Sequence, residues 1–375
     1  MSAKLALVAA AVLSLAAGAG PQGEILLGGS APLSVGTAGT DFTRGAAAYF
    51  AYANALGGVR GLTIRYEVLD DGGEAGLAAQ NVQELVEQEG VFAVFGSFDT
   101  AADDYLNAAR VPLLFAHSGA GALGAHSSPW TIGYGPTHRA EGGAYARDIR
   151  AELPQARIGV LYEDDAFGRE LLNGLERGLG AKRSQIVDRE GYEPTAVDVQ
   201  AQVEALRASG ADVLCVFAST DLAADAFAGA RRLGWRPQIF AAADSTAVPP
   251  AGAISAAFLK DPTAPEWADD PGIALYRSIL RRYGKGADPK SSETVAGMAA
   301  AFTLVDALRR ADKSPTRARV VAAAGGMVEA NNPFLLPGIA VRTRPASRYP
   351  IQQLQLRRFA KGRWQRFGGL LAARP

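Results

Sequence analysis

Between positions 25 and 118, four short apolar runs (25–30, 62–69, 91–95 and 112–116) alternate with amphipathic stretches. Each run ends in a small or polar loop, at 31–40, 70–73, 96–100 and 117–121. Strands separated by helices build a parallel sheet, and open parallel sheets collect ligands outside the carboxyl ends of their strands. The polar loops fall at those ends, so a small molecule is expected there.

A second series follows position 139. Runs at 157–162, 185–192, 212–217 and 238–242 read as strands with helices between them, roughly 25 to 30 residues apart, the spacing of βαβ units. The chain thus reads as α/β, with two similar lobes rather than one large sheet. After 249 the pattern turns helical, at 267–283, 291–311 and 315–324, the last entered through Pro315. The tail (351–359, the Lys361-Gly362 turn, 363–367) reads as a β-hairpin. Its basic residues Arg357, Arg358, Lys361, Arg363 and Arg366 are expected on a solvated face rather than against phosphate.

Residues 1–4 carry one lysine, 5–17 are apolar, and Ala17-Gly18-Ala19 has the small-x-small form of a signal-peptide cleavage site. Cleavage is expected after about Ala19, with the mature chain in the periplasm. An apolar run of roughly 13 residues falls short of the about 20 that span a bilayer, and no later segment is expected to insert. The 38 basic and 38 acidic residues balance, which argues against a nucleic-acid surface and against strong attraction to anionic lipid. The single cysteine, Cys215, lies in an apolar run and is expected to be a buried small hydrophobe.

Several pieces follow one another across positions 24–245. They are Ser30-Ala31-Pro32-Leu33, Arg44-Gly45-Ala46, Asn54-Ala55-Leu56-Gly57-Gly58-Val59-Arg60-Gly61, Asp70-Asp71, Val94-Phe95-Gly96-Ser97 and Tyr162-Glu163-Asp164-Asp165-Ala166-Phe167-Gly168. In this order and spacing the chain resembles the periplasmic binding proteins of the leucine/isoleucine/valine type, the extracellular receptors of one class of ABC importers. The resemblance implies two flavodoxin-like lobes with parallel-sheet cores joined by a three-stranded hinge that closes on a ligand. Mapped here, lobe 1 is 20–137 plus 249–330 and lobe 2 is 138–248 plus 331–375. It also implies a small polar ligand, best guessed as an amino acid, an inner-membrane ABC permease as partner, and no cofactor.

The same resemblance places the ligand's neighbours. In lobe 1, hydroxyls and main-chain amides of two loops would hold a carboxylate: Ser97, Phe98 and Thr100 in one, His117, Ser118 and Gly119 in the other. Thr100 also stands where it could cap the next helix, and the two roles are compatible. His117 is larger than the family pattern expects, and the hydroxyl of Ser118 comes one place early. In lobe 2, Phe167 and Thr220 take the places of two tyrosines that pack over the ligand. Asp244 takes that of the acid pairing with an α-ammonium group, or else caps a turn with Ser245. Asp221 is a rival cation partner, or a helix N-cap. Tyr134 is a further candidate for pocket contact, ahead of Trp130 and Tyr105, and all three could instead pack the lobes. Gly73 and Asp99 stand where the family carries a small disulfide. With both tyrosines replaced, leucine-like specificity does not carry over.

Rival classes lack their motifs. No G-x-G-x-x-G opens the first helix, and there is no P-loop, G-x-S-x-G elbow or H-E-x-x-H. The three histidines, His117, His126 and His138, do not share a helix face, so neither an enzyme nor a metal site is expected. A free-standing periplasmic ligand sensor would share the lobes. Amides, urea-like compounds and aromatic or short carboxylic acids stand beside amino acids as ligands.

Overall fold

The computed structural model describes residues 23–124, 128–245, 247–312, 315–344 and 347–373. The expected leader (1–19) and His126 lie outside the described residues. The first lobe opens with β1 (Gly23–Ala31), α1 (Ala38–Ala55), β2 (Leu62–Asp70), α2 (Ala75–Glu87), β3 (Ala93–Phe95), α3 (Asp103–Ala109), β4 (Leu113–Ala116) and β5 (Thr131–Gly133). All five strands are parallel, in the order β2-β1-β3-β4-β5. The short strands β3 and β4 are buried along their whole length, as strands covered by helices on both faces must be.

The chain crosses at 134–137 into the second lobe. There it forms α4 (His138–Glu152), β6 (Ile158–Glu163), α5 (Ala166–Leu179), β7 (Ile186–Tyr192), α6 (Gln200–Ala208), β8 (Val213–Phe217), α7 (Thr220–Arg232), β9 (Gln238–Ala241) and β10 (Ile254–Ala257). These strands are parallel and run β7-β6-β8-β9-β10. Both lobes therefore have the doubly wound order 2-1-3-4-5, the flavodoxin-like arrangement, in which ligands sit at the carboxyl ends of the strands.

After β10 the chain returns to the first lobe, where Lys260 N donates to Phe334 O at 2.9 Å. It adds α8 (Pro271–Tyr283), α9 (Ser292–Arg310), α10 (Arg317–Ala324) and a small ribbon of β11 (Val328–Glu329) and β12 (Val341–Arg342). It ends on the second sheet with β13 (Gln353–Ala360), β14 (Arg363–Arg366) and β15 (Leu371–Ala372); β13 lies antiparallel to β10. Two expected boundaries move. Because β10 belongs to the second sheet, the second crossing falls near 258 instead of 249. Because Phe334 to Ile351 pack in the first core, the third falls near 352 instead of 331.

Local chemistry sets the helix starts. Thr137, Asp165, Asp270, Ser291 and Thr316 each accept a main-chain N–H through the side chain, satisfying a donor at the helix end. In each lobe glycines let two helices touch backbone to backbone. A Cβ on Gly45 would lie 2.1 Å from Thr294 O, and one on Gly297 2.0 Å from Phe42 O, where α1 crosses α9. Gly142 and Gly174 play the same part between α4 and α5. Cys215 is fully buried in β8, and burial pushes its thiol far up, as suits a core hydrophobe. The basic hairpin is less solvated than its sequence suggests. Arg357 stacks on Trp364 at 4.6 Å and Arg358 on Phe367 at 4.6 Å, while Arg366 lies 4.5 Å over Trp267.

Candidate functional site

The motifs first build the frame. The Asn54 amide clamps the edge of β2 by donating to Ile64 O and accepting from Ile64 N, both at 2.8 Å. Ser30 Oγ donates to the buried Asp71 carboxylate at 2.8 Å, and Asn81 Nδ2 donates to Ser30 Oγ at 3.2 Å. In the second lobe Glu163 accepts from Tyr192 Oη at 2.9 Å and from Ser219 N at 3.3 Å, joining the ends of β6, β7 and β8. Asp165 caps α5 by accepting from Gly168 N at 3.0 Å. These contacts fix the loops at the carboxyl ends of both sheets.

The first wall is shaped by a bulge. The register of β4 against β5 shifts between Leu114 and Ala116, and Phe115 is held at φ 55°, a left-handed conformation that is costly for a buried aromatic. The chain emerges as His117, whose N–H donates to Ser97 O at 2.9 Å. The imidazole lies 4.5 Å from the ring of Phe42 and edge-on to Phe98 at 4.7 Å. Its Nε2 meets Glu293 Oε2, on the first turn of α9, at 2.7 Å. Burial opposes a charge on His117. The Glu293 carboxylate outweighs it, with a smaller contribution from Asp244, and the imidazole sits above its ordinary value. Ser118 Oγ accepts from Ala120 N at 3.2 Å, closing a local turn.

The second wall centres on His138, the first residue of α4, whose side chain is 8% exposed. Its N–H donates to Gly119 O at 2.9 Å, and its Nε2 meets Asp244 Oδ2 at 3.1 Å. Phe167 packs edge-on against the ring at 4.9 Å. Burial disfavours the charged ring, but Asp244, with Glu141 and Glu170, more than offsets it and raises the imidazole above its ordinary value. The Asp244 side chain is 63% exposed, yet it stands between the lobes, where surrounding protein partly dehydrates it. That would raise its carboxyl; the His138 bond and the charges of His138, His117 and Arg357 more than offset it and hold the group below its ordinary value. Beneath it Glu141 is buried and accepts from Tyr145 Oη at 2.6 Å and Ala243 N at 2.7 Å. Burial and the Asp244 charge push Glu141 up to about 7.

The expected residues are thus only partly brought together. His117, Phe98, Ser97 and Gly119 of the first lobe and Phe167 and Asp244 of the second join one cluster through the contacts above. Tyr134 does not line a pocket: it is fully buried in the first core, with its hydroxyl at 3.2 Å from Asn332 Nδ2 and 3.3 Å from Thr303 Oγ1. Thr100 does not cap α3 with its side chain. The helix begins at Asp103, whose carboxylate is held by Ser128 and Thr131, and only the Thr100 carbonyl accepts, from Asp103 N. Thr220 opens α7, and Asp221 is exposed on its first turn, where a negative charge complements the helix end. Gly119 admits the ring of His138. Asp244 pairs with that ring instead of capping a turn at Ser245. Tyr105 donates to Glu87 at the surface. Among the described residues Ser97 Oγ is buried with no hydrogen-bond partner, beside a cavity of about 10 Å³, room for one water, lined also by Ser30, Asp99 and Leu113.

Three residues of the cluster escape a sequence reading: Glu293, His138 and Glu141. Only Glu293 carried a signal, an acid behind the capping Ser291. Among the described residues no group of three or more histidine, cysteine, aspartate or glutamate side chains is placed to hold a metal ion.

With two lobes and a cleft between them in place, likeness to known proteins becomes informative. A family model described as periplasmic binding protein matches residues 26–363. The chain belongs to this family. Its members are solute-binding receptors of ABC-transporter type rather than enzymes, and their place is the periplasm. A Leu/Ile/Val-binding protein homolog of Brucella abortus is 28% identical over 235 residues, 56% of each chain; the chain therefore spans about half the length of the curated relatives it matches. A branched chain amino acid ABC transporter protein from Thermus thermophilus, solved with bound valine, superposes with a TM-score of 0.81 at 20% identity, covering 94% of this chain and 97% of that one. A solute binding protein from R. palustris in complex with 4-hydroxybenzoate gives 0.79 at 16% identity, covering 94% and 98%. At these identities the likeness is one of fold. No helix among the described residues is long and apolar enough to cross a membrane.

Proposed function

We propose that this periplasmic binding protein is the receptor of an ABC importer, closing its two lobes around an amino acid and presenting the closed form to an inner-membrane permease. Asp244 carries the reading. It is an ionised carboxylate open to the cleft, and among the described residues only its Oδ2 is engaged, with His138. The free oxygen suits a ligand ammonium group, which needs an opposite charge once it leaves water. Across the cleft, the loops bearing Ser97 to Thr100 and His117 to Gly119 offer hydroxyls, amides and an imidazole to the carboxylate. Phe98 and Phe167 supply apolar contact, with Thr220 and Asp221 at the neighbouring loop end. Cleavage of the leader after about Ala19 belongs to the same reading.

The valine held by the Thermus neighbour supports an amino acid; the 4-hydroxybenzoate of the R. palustris neighbour makes acids the natural control. Thermal-shift screening against amino acids, amides and organic acids tests the proposal, because a ligand of the folded state raises the melting temperature by mass action. Amino acids are expected to raise it. A shift given only by ligands without an amine would remove Asp244 from its assigned role.

A further inference from the structure

We propose that Glu293 is a positioning residue that fixes a proton on Nε2 of His117, so that Nδ1 of the resulting imidazolium is the donor that grips the carboxylate of the ligand. The inference rests on the receptor reading above and deepens it, adding a charge requirement that the family resemblance does not contain.

The geometry is specific at each point. Glu293 Oε2 lies 2.7 Å from Nε2, the distance of a charge-assisted bond, and assigns that nitrogen as a donor. Glu293 is itself held on the first turn of α9, where its N–H donates to Ser291 Oγ at 3.2 Å and the helix end favours a negative charge. The ring centroid lies 4.5 Å from that of Phe42 and 4.7 Å from that of Phe98, and the two phenyl rings are 5.5 Å apart, so the three rings pack as a triangle that fixes the imidazole's orientation. Its backbone is anchored by the bond to Ser97 O. Among the described residues the ring makes no other hydrogen bond, which leaves Nδ1 for a ligand. The charged groups that face it are Glu293 from α9 and, across the cleft, Asp244 from the loop after β9.

A neutral ring with its proton on Nε2 would present a lone pair at Nδ1 and repel a carboxylate. The imidazolium presents N–H and attracts it. The proton on His117 therefore decides whether the first wall accepts an anion or a cation. Glu293 tips that choice without touching the ligand.

The test uses the purified chain and its imidazole NMR signals, which are few because the sequence has three histidines. His117→Gln identifies the His117 signal. In the wild type it should titrate above the ordinary value of about 6.5, and in Glu293→Gln at or below it. Acetate, the minimal carboxylate, should move the His117 signal below that transition and not above it. Amino acids found by the thermal-shift screen should bind Glu293→Gln at least about tenfold more weakly near pH 6, with the gap narrowing as the wild-type ring loses its proton. A His117 signal at or below about 6.5 in the wild type, no change in Glu293→Gln, or no response to acetate overturns the proposal. If acetate moves His117 as described while no amino acid binds, the amino-acid reading falls and the role of Glu293 stands. If amino acids bind the wild type and Glu293→Gln equally at every pH, the reverse holds.

Discussion

The ring of His138 occupies the space where Gly119 would carry a side chain: a Cβ there would lie 2.4 Å from His138 Cδ2 and 2.5 Å from Nε2. One lobe thus seats its first helical residue in a notch of the other, with Gly119 O accepting from His138 N. Gly119→Ala should push the ring off Asp244 and destabilise the protein by about 1–3 kcal/mol, the range for overpacking a tight contact. Denaturant unfolding measures this. Equal midpoints for variant and wild type would show that the notch is loose.

Stability should fall as pH rises from the acid side of neutrality. His117 and His138 have raised values in the folded state, so each stabilises fully below the unfolded value of about 6.5 and loses that contribution as pH climbs through its folded one. Glu141, raised to about 7, binds a proton on folding and acts in the same direction above its unfolded value. Asp244, lowered, acts oppositely and only at strongly acid pH. Melting temperature measured by calorimetry should be higher near pH 5 than near pH 8. A flat profile would mean that neither histidine gains a proton on folding.

Tyr134→Phe should cost about 1 kcal/mol, the usual worth of a buried hydrogen bond, since Asn332 keeps its bonds to Ala299 O and Thr303 Oγ1. Ligand affinity should not change. Calorimetric titration beside chemical unfolding separates the two, and a loss of affinity would return Tyr134 to the cleft.

Asp244→Asn should weaken an amino-acid ligand by about ten- to a hundredfold, matching about 1.5–3 kcal/mol for a charged hydrogen bond. Titration near pH 8, where His138 carries less charge, limits the effect on the fold. An unchanged dissociation constant would place the ammonium elsewhere.

Much of this was legible in the chain, for physical reasons. The runs 91–95 and 212–217 read as strands because a sheet covered on both faces needs unbroken apolar sequence. The second crossing is misplaced because β10, Ile-Ser-Ala-Ala, is too short and small to announce a strand, and the third because Phe334 to Ile351 pack in the first core without forming a long element. Thr100 read as a cap because a hydroxyl before an acidic pair fits one, but the Asp103 network with Ser128 and Thr131 starts the helix later. The partner of His117 lies 176 positions away, and no local pattern encodes such a pairing. Tyr134 reads alike whether it faces a cleft or a core; only the neighbours Thr303 and Asn332, brought in by later segments, decide it.

The route of the chain between lobes has a consequence for how the molecule comes into being. The first core takes in α8 and α9, which pack against α1, and is complete only with Ile351. The second sheet likewise waits for β13 at the far end. A growing polypeptide therefore cannot finish and lock either half before the segments through β13 have been made. The two halves consolidate together, once all three crossings are in place.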